Sequence, residues 1–168
     1  MLRDYLELCW LSGYPEELPT SRKFLFINLA VYLLLGLFIQ ANISDPIEAI
    51  VQIFIEVIIT VLFMGGLLIK DGSTYNFERL LTAILVCENV VYVFALPLAF
   101  WFVFAKGSAS AGYPIYIGVI LILCSVVIIA YLIKGLFDYN WRDSTLLSVI
   151  YFILTYFGSF GILLMAGM

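Results

Sequence analysis

The sequence predicts an all-α integral membrane protein, a helical bundle with five transmembrane helices. Of its 168 residues, 64% are hydrophobic and only 12% are charged, which is too apolar for a water-soluble fold of this size. The apolar residues form five runs, each long enough to cross a lipid core of about 30 Å as a helix. Polarity does not alternate along these runs, which argues against membrane-spanning strands.

Short polar segments separate the five predicted spans. Ser21 is a predicted cap of the first helix, and Asp45-Pro46-Ile47-Glu48 has the pattern of an N-cap followed by a proline and a capping glutamate. Asn140 is expected to begin the fifth helix in a similar way. No connection exceeds about a dozen residues, so we expect no soluble domain between the spans. The spans run Phe24 to Ala41, Ile47 to Ile69, Leu80 to Phe104, Tyr113 to Phe137, and Ser144 to Met168.

The basic residues predict the orientation. With the N-terminus in the cytoplasm, that side of the membrane holds seven lysines and arginines and the other side holds only Lys106. An odd number of spans then places the C-terminus outside. We therefore expect a multi-pass protein of a bacterial cytoplasmic (inner) membrane. The seven residues are Arg3, Arg22, Lys23, Lys70, Arg79, Lys134 and Arg142.

Residues 1–23 are predicted to form a cytoplasmic N-terminal segment before a transmembrane domain of residues 24–168. We expect a short amphipathic helix here, lying at the membrane surface. The alternative is a frayed tail, because so short a helix is marginal on its own. The apolar run that follows is longer than that of a cleavable signal. The residues on the expected apolar face are Leu2, Leu6, Cys9 and Trp10.

Two glutamates fall inside the predicted spans. Glu56 is close to the middle of the second span, and Glu88, followed by Asn89, lies in the third. An ionisable side chain in hydrocarbon costs about 2.5–3.5 kcal/mol on insertion scales, so each marks a candidate functional position. Gln52, Glu56 and Thr60 recur every four residues and share one helix face. The glutamates differ in depth by about 8 Å, too far for contact but within reach of a bridging Asn, Tyr or water.

Two interpretations of these residues remain open. In the first, protonated glutamates bond with Gln52, Asn89 and nearby hydroxyls and hold the helices together. In the second, Gln52, Glu56, Glu88 and Asn89 form a proton or cation relay. We expect the first, because no basic partner completes a relay. Matching polar faces occur in the first and fifth spans: Asn28, Tyr32, Gly36 and Gln40, and Ser144, Ser148, Thr155 and Ser159.

Two further positions could bend or tighten the bundle. Pro97 is expected to kink the third span, because proline removes one helical hydrogen bond and clashes with the preceding turn. Gly65 and Gly66 are expected to permit a bend or a close approach between helices.

The sequence carries no constellation typical of an enzyme. Histidine is absent, which removes Ser-His and Cys-His pairs and histidine-bound metals. There is no Walker A or G-x-G-x-x-G pattern. Cys9, Cys87 and Cys124 show no paired spacing, so neither a disulfide nor a metal site is indicated. We expect no catalytic residue, no metal and no cofactor, and without a basic cluster no nucleic-acid partner.

Three short segments of the chain, together with the number of spans, also resemble the pattern of a known family. Leu18-Pro19-Thr20-Ser21-Arg22 leads into the first span, Phe77-Glu78-Arg79-Leu80-Leu81 opens the third, and Ala95-Leu96-Pro97 interrupts it. With five spans and a cytoplasmic N-terminus, this pattern resembles the Yip family of small integral membrane proteins, particularly its bacterial relatives. The likeness covers nearly the whole chain and is one of pattern, so no site residue is carried over.

The resemblance implies a role in the membrane without catalysis. Eukaryotic Yip proteins look like adaptors that bind small GTPases and shape vesicle traffic. This sequence lacks the long soluble N-terminal region of many of them, so no GTPase partner is predicted. We expect an adaptor, scaffold or assembly partner that contacts the lipid bilayer and another membrane protein or a second copy of itself. The alternative is a small proton- or cation-linked transporter or channel that uses Glu56 and Glu88.

Overall fold

In a computed structural model, which describes residues 1–105 and 112–165, the chain forms six helices. Five of them are long and apolar enough to cross a membrane, which confirms the predicted all-α bundle. Lys106 and the predicted end of the fifth span at Met168 lie outside the described residues. The helices are α1 (Leu2–Cys9), α2 (Arg22–Ala41), α3 (Pro46–Asp71), α4 (Phe77–Phe104), α5 (Gly112–Phe137) and α6 (Trp141–Met165).

Local chemistry explains where several helices begin and end. The Ser21 hydroxyl accepts a hydrogen bond from the Phe24 amide, and the Asp45 carboxylate accepts one from the Ile47 amide, so both caps form as predicted. Gly72 ends α3 in the left-handed conformation, with φ of 74°, which glycine adopts without a steric penalty. Asn140 is the N-cap of α6, as predicted, but its side chain makes no capping bond.

The helix α4 is the centre of the bundle. It packs mainly against α2 on one side and α5 on the other, and half of its span is buried within the protein. The helix α6 packs on α5 along its first half and on α3 along its second half, and α3 returns to α2. The five long helices therefore surround a shared interior, in which residues from α2, α3, α4 and α6 meet.

The N-terminal segment forms a helix, and its buried face matches the predicted one only in part. Tyr5 and Leu8 are fully buried, because α1 packs along the first half of α4, whereas Leu2 is 53% and Trp10 is 80% exposed. The helix thus runs beside α4, and its expected place at the membrane surface stays a prediction. Leu6 and Cys9 of the predicted face pack against the core, whereas the fully buried Tyr5 and Leu8 were not part of that face.

The segment that follows α1 is also fixed to the bundle. The Tyr131 hydroxyl donates to the Gly13 carbonyl at 2.7 Å, and the Pro15 ring lies on Gly135 of α5. The Arg79 guanidinium donates to the Leu18 carbonyl at 3.0 Å. Residues 1–21 therefore pack against the start of α4 and the end of α5.

The glycines singled out from the sequence do not mark the close approaches between helices. The helix α4 continues through Pro97 to Phe104, and the kink expected there stays a prediction. A side chain at Gly66 would meet nothing within 4 Å, and one at Gly65 would touch only the Phe77 ring. The close approaches occur instead at Gly36, which faces Ile53 and Tyr92, and at Gly135, which faces Pro15.

Gly135→Ala should loosen the N-terminal segment. The new methyl carbon would lie 2.7 Å from Cγ of the rigid Pro15 ring, so the ring must move. We expect the free energy of unfolding in mixed micelles to fall by about 1–3 kcal/mol, as for other overpacked sites. Gly118→Ala on the same helix is the matched control, because its methyl group meets nothing within 4 Å. Equal stability of the two variants would contradict the packing described here.

Candidate functional site

The two glutamates predicted from the sequence lie in the shared interior of the bundle. Glu56 of α3 is 0% exposed, and Glu88 of α4 is 1% exposed. Hydrocarbon and apolar side chains cannot bond to a carboxyl group, so each oxygen must find its partners within the protein. The partners come from α2, α3 and α6.

Glu56 is held mainly by two amide side chains. Its Oε1 atom accepts hydrogen bonds from Gln40 Nε2 at 2.8 Å and from Gln52 Nε2 at 3.1 Å. The Ser159 hydroxyl of α6 approaches the same oxygen at 3.5 Å, and the Tyr32 hydroxyl of α2 lies 3.5 Å from Oε2. One carboxyl group therefore connects three helices.

Glu88 is held by two tyrosines of α6. The Tyr156 hydroxyl donates to its Oε2 atom at 3.0 Å, and the Tyr151 hydroxyl donates to Oε1 at 3.4 Å. Both carboxylate oxygens are thereby paired with side chains of a single neighbouring helix. These bonds fix the position of α6 relative to α4. The two helices share few packing contacts with each other, because α6 packs mainly against α5 and α3.

A hydroxyl bridge joins the surroundings of the two glutamates. The Tyr151 hydroxyl lies 3.4 Å from Glu88 Oε1 and 3.1 Å from the Thr60 hydroxyl, and its single proton can be donated to only one of them at a time. Thr60 in turn donates to the backbone carbonyl of Glu56 at 2.9 Å. On the other side of Glu56, Tyr92 of α4 donates to the Tyr32 hydroxyl at 3.3 Å, and the two rings stack. The carboxyl groups do not touch, which agrees with the depth difference expected from the sequence.

Asn89 stands apart from this network. Its amide donates to the Asn28 backbone carbonyl at 3.0 Å and joins α4 to α2. The oxygen atoms Gln40 Oε1 and Asn89 Oδ1 are buried and accept no hydrogen bond from the described residues. Of the four predicted site residues, Gln52 and Glu56 are therefore in direct contact, while Glu88 and Asn89 each bond to another helix.

A π-helical turn positions part of the site. Residues Ile153–Gly158 interrupt the α-helical geometry of α6. Such a turn widens the helix by one residue and changes which side chains face the neighbours downstream. Tyr156 lies within the turn and Ser159 directly follows it, and these residues reach Glu88 and Glu56 respectively. Without the extra residue, the tyrosine and the serine would not have this relative orientation.

Two cavities border the network, and they differ in size and chemistry. A small cavity of about 40 Å³ is lined by Thr60, Glu88, Tyr151 and Tyr32 among apolar side chains, and it has room for one to a few waters. A larger cavity of about 470 Å³ lies between α2, α4, α5 and α6. Its wall is almost entirely apolar, with Tyr92 and Tyr156 at one side, and neither glutamate lines it.

The electrostatics of the site are those of hydrogen bonding rather than ion pairing. Within residues 1–105 and 112–165, no lysine or arginine forms a salt bridge with Glu56 or Glu88. The same residues contain no group of three or more Cys, Asp or Glu that could hold a metal ion. These hydrogen bonds can orient the helices, and they link one hydroxyl group to the next.

Sequence reasoning overlooked the two tyrosines that bind Glu88. Tyr151 lies four residues before Thr155 and three after Ser148, so it belongs to the small polar stripe of α6, and this spacing was the signal available. The position of Tyr156 depends on the π turn, for which the sequence gives no signal. The contact between Cys9 and Cys87 was also missed, because α1 was not expected to pack against α4.

Comparisons with protein-family models, with curated proteins and with solved structures found no match for this chain. The resemblance to the Yip family therefore stays a prediction from the sequence.

Tyr151→Phe should weaken the bundle by removing the hydroxyl between Thr60 and Glu88. Hydrogen bonds between membrane helices contribute about 0.6–1.7 kcal/mol, so we expect unfolding in mixed micelles to require that much less free energy. Tyr116→Phe removes a hydroxyl from a residue that is 72% exposed and serves as the control. A Tyr151→Phe variant as stable as the control would mean that the bridge does not hold the helices.

Proposed function

We propose that this chain is a non-catalytic integral membrane protein that acts as an adaptor or assembly partner. Its buried glutamates fix the helices in one arrangement, and the outer faces of those helices contact the partner. The observation that carries the proposal is that all four carboxylate oxygens of Glu56 and Glu88 are paired with donors from the chain's own α2, α3 and α6.

The cavities support a structural role for the glutamates. A transport pathway needs a route wide and polar enough for a proton or a hydrated cation to reach the acidic groups. The cavity beside Glu88 is small, at about 40 Å³, and the larger cavity has an apolar wall that includes neither glutamate. The carboxyl groups thus serve best as bonds between helices.

The surface of the chain supports contact through its helices. Within the described residues, the connections between the long helices are short, and the N-terminal segment packs on α4 and α5. The five spans present many large apolar side chains outward, among them Ile58, which is 56% exposed, and Ile120, which is 58% exposed. Such faces fit the hydrocarbon of the bilayer, and a partner that packs on them is itself a membrane protein or a second copy of this chain. The resemblance to Yip proteins, whose eukaryotic members look like adaptors, agrees with this role.

The orientation that we propose has the N-terminus and the α3–α4 and α5–α6 connections in the cytoplasm of a bacterium. The packing groups the basic residues of these segments, because Arg22 pairs with Glu78 at 2.7 Å and Arg79 contacts Leu18. Lys134 lies over the Trp141 ring, 4.8 Å from its centre, at the same end of the bundle. An excess of lysine and arginine on one side is typical of the cytoplasmic side.

The second candidate function is proton-linked transport, and one observation favours it. The hydroxyls of Tyr151 and Thr60 lie in a row between the carboxyl group of Glu88 and the backbone carbonyl of Glu56. Gln40 and Gln52 add polar contacts on the carboxyl group of Glu56. A chain of hydrogen-bonded groups is what a proton relay requires.

Flux measurements separate the two functions. We expect liposomes that contain the purified full-length chain to show the same proton and cation flux as empty liposomes. Glu56→Gln and Glu88→Gln should leave that flux unchanged and keep the helical fold. Glu48→Gln is the matched control, because it neutralises a partly exposed acid two turns before Glu56 on the same helix. Flux above that of empty liposomes, lost in Glu56→Gln and kept in Glu48→Gln, would instead support the transporter.

Photo-crosslinking tests the adaptor role directly. A photoreactive residue at one exposed position of each long helix should give a discrete protein adduct at one or two positions in living cells. The control is the buried Ile129, which is 1% exposed and should give no adduct with another chain. Lipid adducts alone at every exposed position would contradict the proposal. The exposed positions are Ile27, Ile58, Phe94, Ile120 and Leu146.

Single cysteines test the proposed orientation without reference to the chain ends. In a variant whose three natural cysteines are replaced, Ser44→Cys in the α2–α3 connection should react with a membrane-impermeant maleimide added outside the cell. Asp138→Cys in the α5–α6 connection should react only after the membrane is opened. The reverse labelling pattern would show the opposite orientation.

A further inference from the structure

Two of the three cysteines meet, although they are 78 residues apart in the chain. Cys9 at the end of α1 places its Sγ atom 3.3 Å from Sγ of Cys87 in α4. A disulfide bond is about 2.05 Å long, so an approach of roughly 1.3 Å would allow it to form. The third thiol, Cys124, is exposed on α5.

The two thiols lie in different environments. Cys9 is half-buried at the edge of the bundle, whereas Cys87 is buried among the apolar residues between α1, α4 and α5. Contact with Cys87 lowers the pKa of the Cys9 thiol, because a thiolate at Cys9 can accept a hydrogen bond from the Cys87 thiol. Cys9 is therefore the thiol that an oxidant reaches first, and Cys87 is placed to react with the product.

We propose that Cys9 and Cys87 are a redox modification site, in which a hydroperoxide converts the two thiols into a reversible disulfide that joins α1 to α4. This proposal goes beyond the adaptor role and rests on the geometry of the pair. Only the expectation that the pair is normally reduced depends on the cytoplasmic location proposed above.

The chemistry proceeds in two balanced steps. The Cys9 thiolate attacks the O–O bond of the hydroperoxide ROOH, which gives a sulfenic acid at Cys9 and, after uptake of a proton, the alcohol ROH. The Cys87 thiol then attacks the Cys9 sulfur, the S–S bond forms, and the hydroxyl leaves as water. In total two thiols and ROOH give one disulfide, ROH and H2O, and a dithiol reductant reverses the modification.

The disulfide would act on the helix beside the buried network. Glu88 directly follows Cys87, and α1 is otherwise held by noncovalent contacts such as the bond from the Tyr5 hydroxyl to the Pro19 carbonyl, 2.8 Å long. A covalent bond between Cys9 and Cys87 closes most of the first half of the chain into a loop and restricts the unfolded state. Oxidation should therefore make the N-terminal segment harder to detach and slower to be cleaved by proteases.

The test uses the full chain with Cys124→Ala, in nanodiscs, treated with hydrogen peroxide. We expect a monomer whose mass falls by about 2 Da through loss of two hydrogen atoms, with both thiols protected from maleimide and released again by dithiothreitol. Limited proteolysis before and after reduction measures whether the N-terminal segment is held. Thiols that remain reactive, or added oxygen atoms without a disulfide, would overturn the proposal.

A displaced thiol provides the matched control. Cys87→Ala combined with Val91→Cys keeps two cysteines but moves one of them a full helical turn along α4. This variant should form no intramolecular disulfide and should accumulate oxygen at Cys9. Equal disulfide formation in both proteins would mean that chance encounters, and not the described contact, produce the bond. A disulfide between two copies of the chain would also overturn the proposal.

Discussion

Hydrocarbon offers no hydrogen bonds, and this constraint governs the arrangement of the bundle. Every polar atom that leaves water must find its partner inside the protein or lose several kcal/mol. Glu56 and Glu88 lie at the points where this requirement is strongest; the partners of Glu56 come mainly from the adjoining α2 and from α3, and those of Glu88 from α6, more than 60 residues away. Their hydrogen bonds therefore specify which helices adjoin, whereas apolar packing alone would permit many arrangements of five similar helices.

The last span shows how local irregularity serves this requirement. Its first half follows α5, where the Ser148 hydroxyl donates to the Val126 carbonyl at 2.7 Å, and its second half follows α3. The π turn lies between these halves, at the point where the helix changes neighbours. The widened turn lets one continuous helix offer Ser148 to α5 before the turn and Tyr156 to Glu88 within it, without a break in the chain.

The membrane class, the number of spans and most of their limits could be predicted, because hydrocarbon thickness and apolar composition determine them. The polar faces of single helices could also be found, since spacing by four is visible in one dimension. Which helices pack against each other could not be predicted. The contact of Tyr156 with Glu88 depends on the π turn, and the burial of Tyr5 depends on packing against α4. Neither the turn nor this packing leaves a periodic signal in the sequence. Gly36 and Gly135 were passed over in favour of Gly65 and Gly66, because a close approach requires a specific partner opposite the glycine.

The position of α1 has a consequence for biosynthesis. The helix α1 is synthesised before α4 and α5, the helices that cover it. At about 5–20 residues per second, the 78 residues between Cys9 and Cys87 take roughly 4–16 s to synthesise. Tyr5 and Leu8 stay without their final neighbours during that interval. The helix α1 thus reaches its mature contacts only after α4 and α5 are made, and a ribosome that stalls before α5 leaves α1 without part of its binding surface.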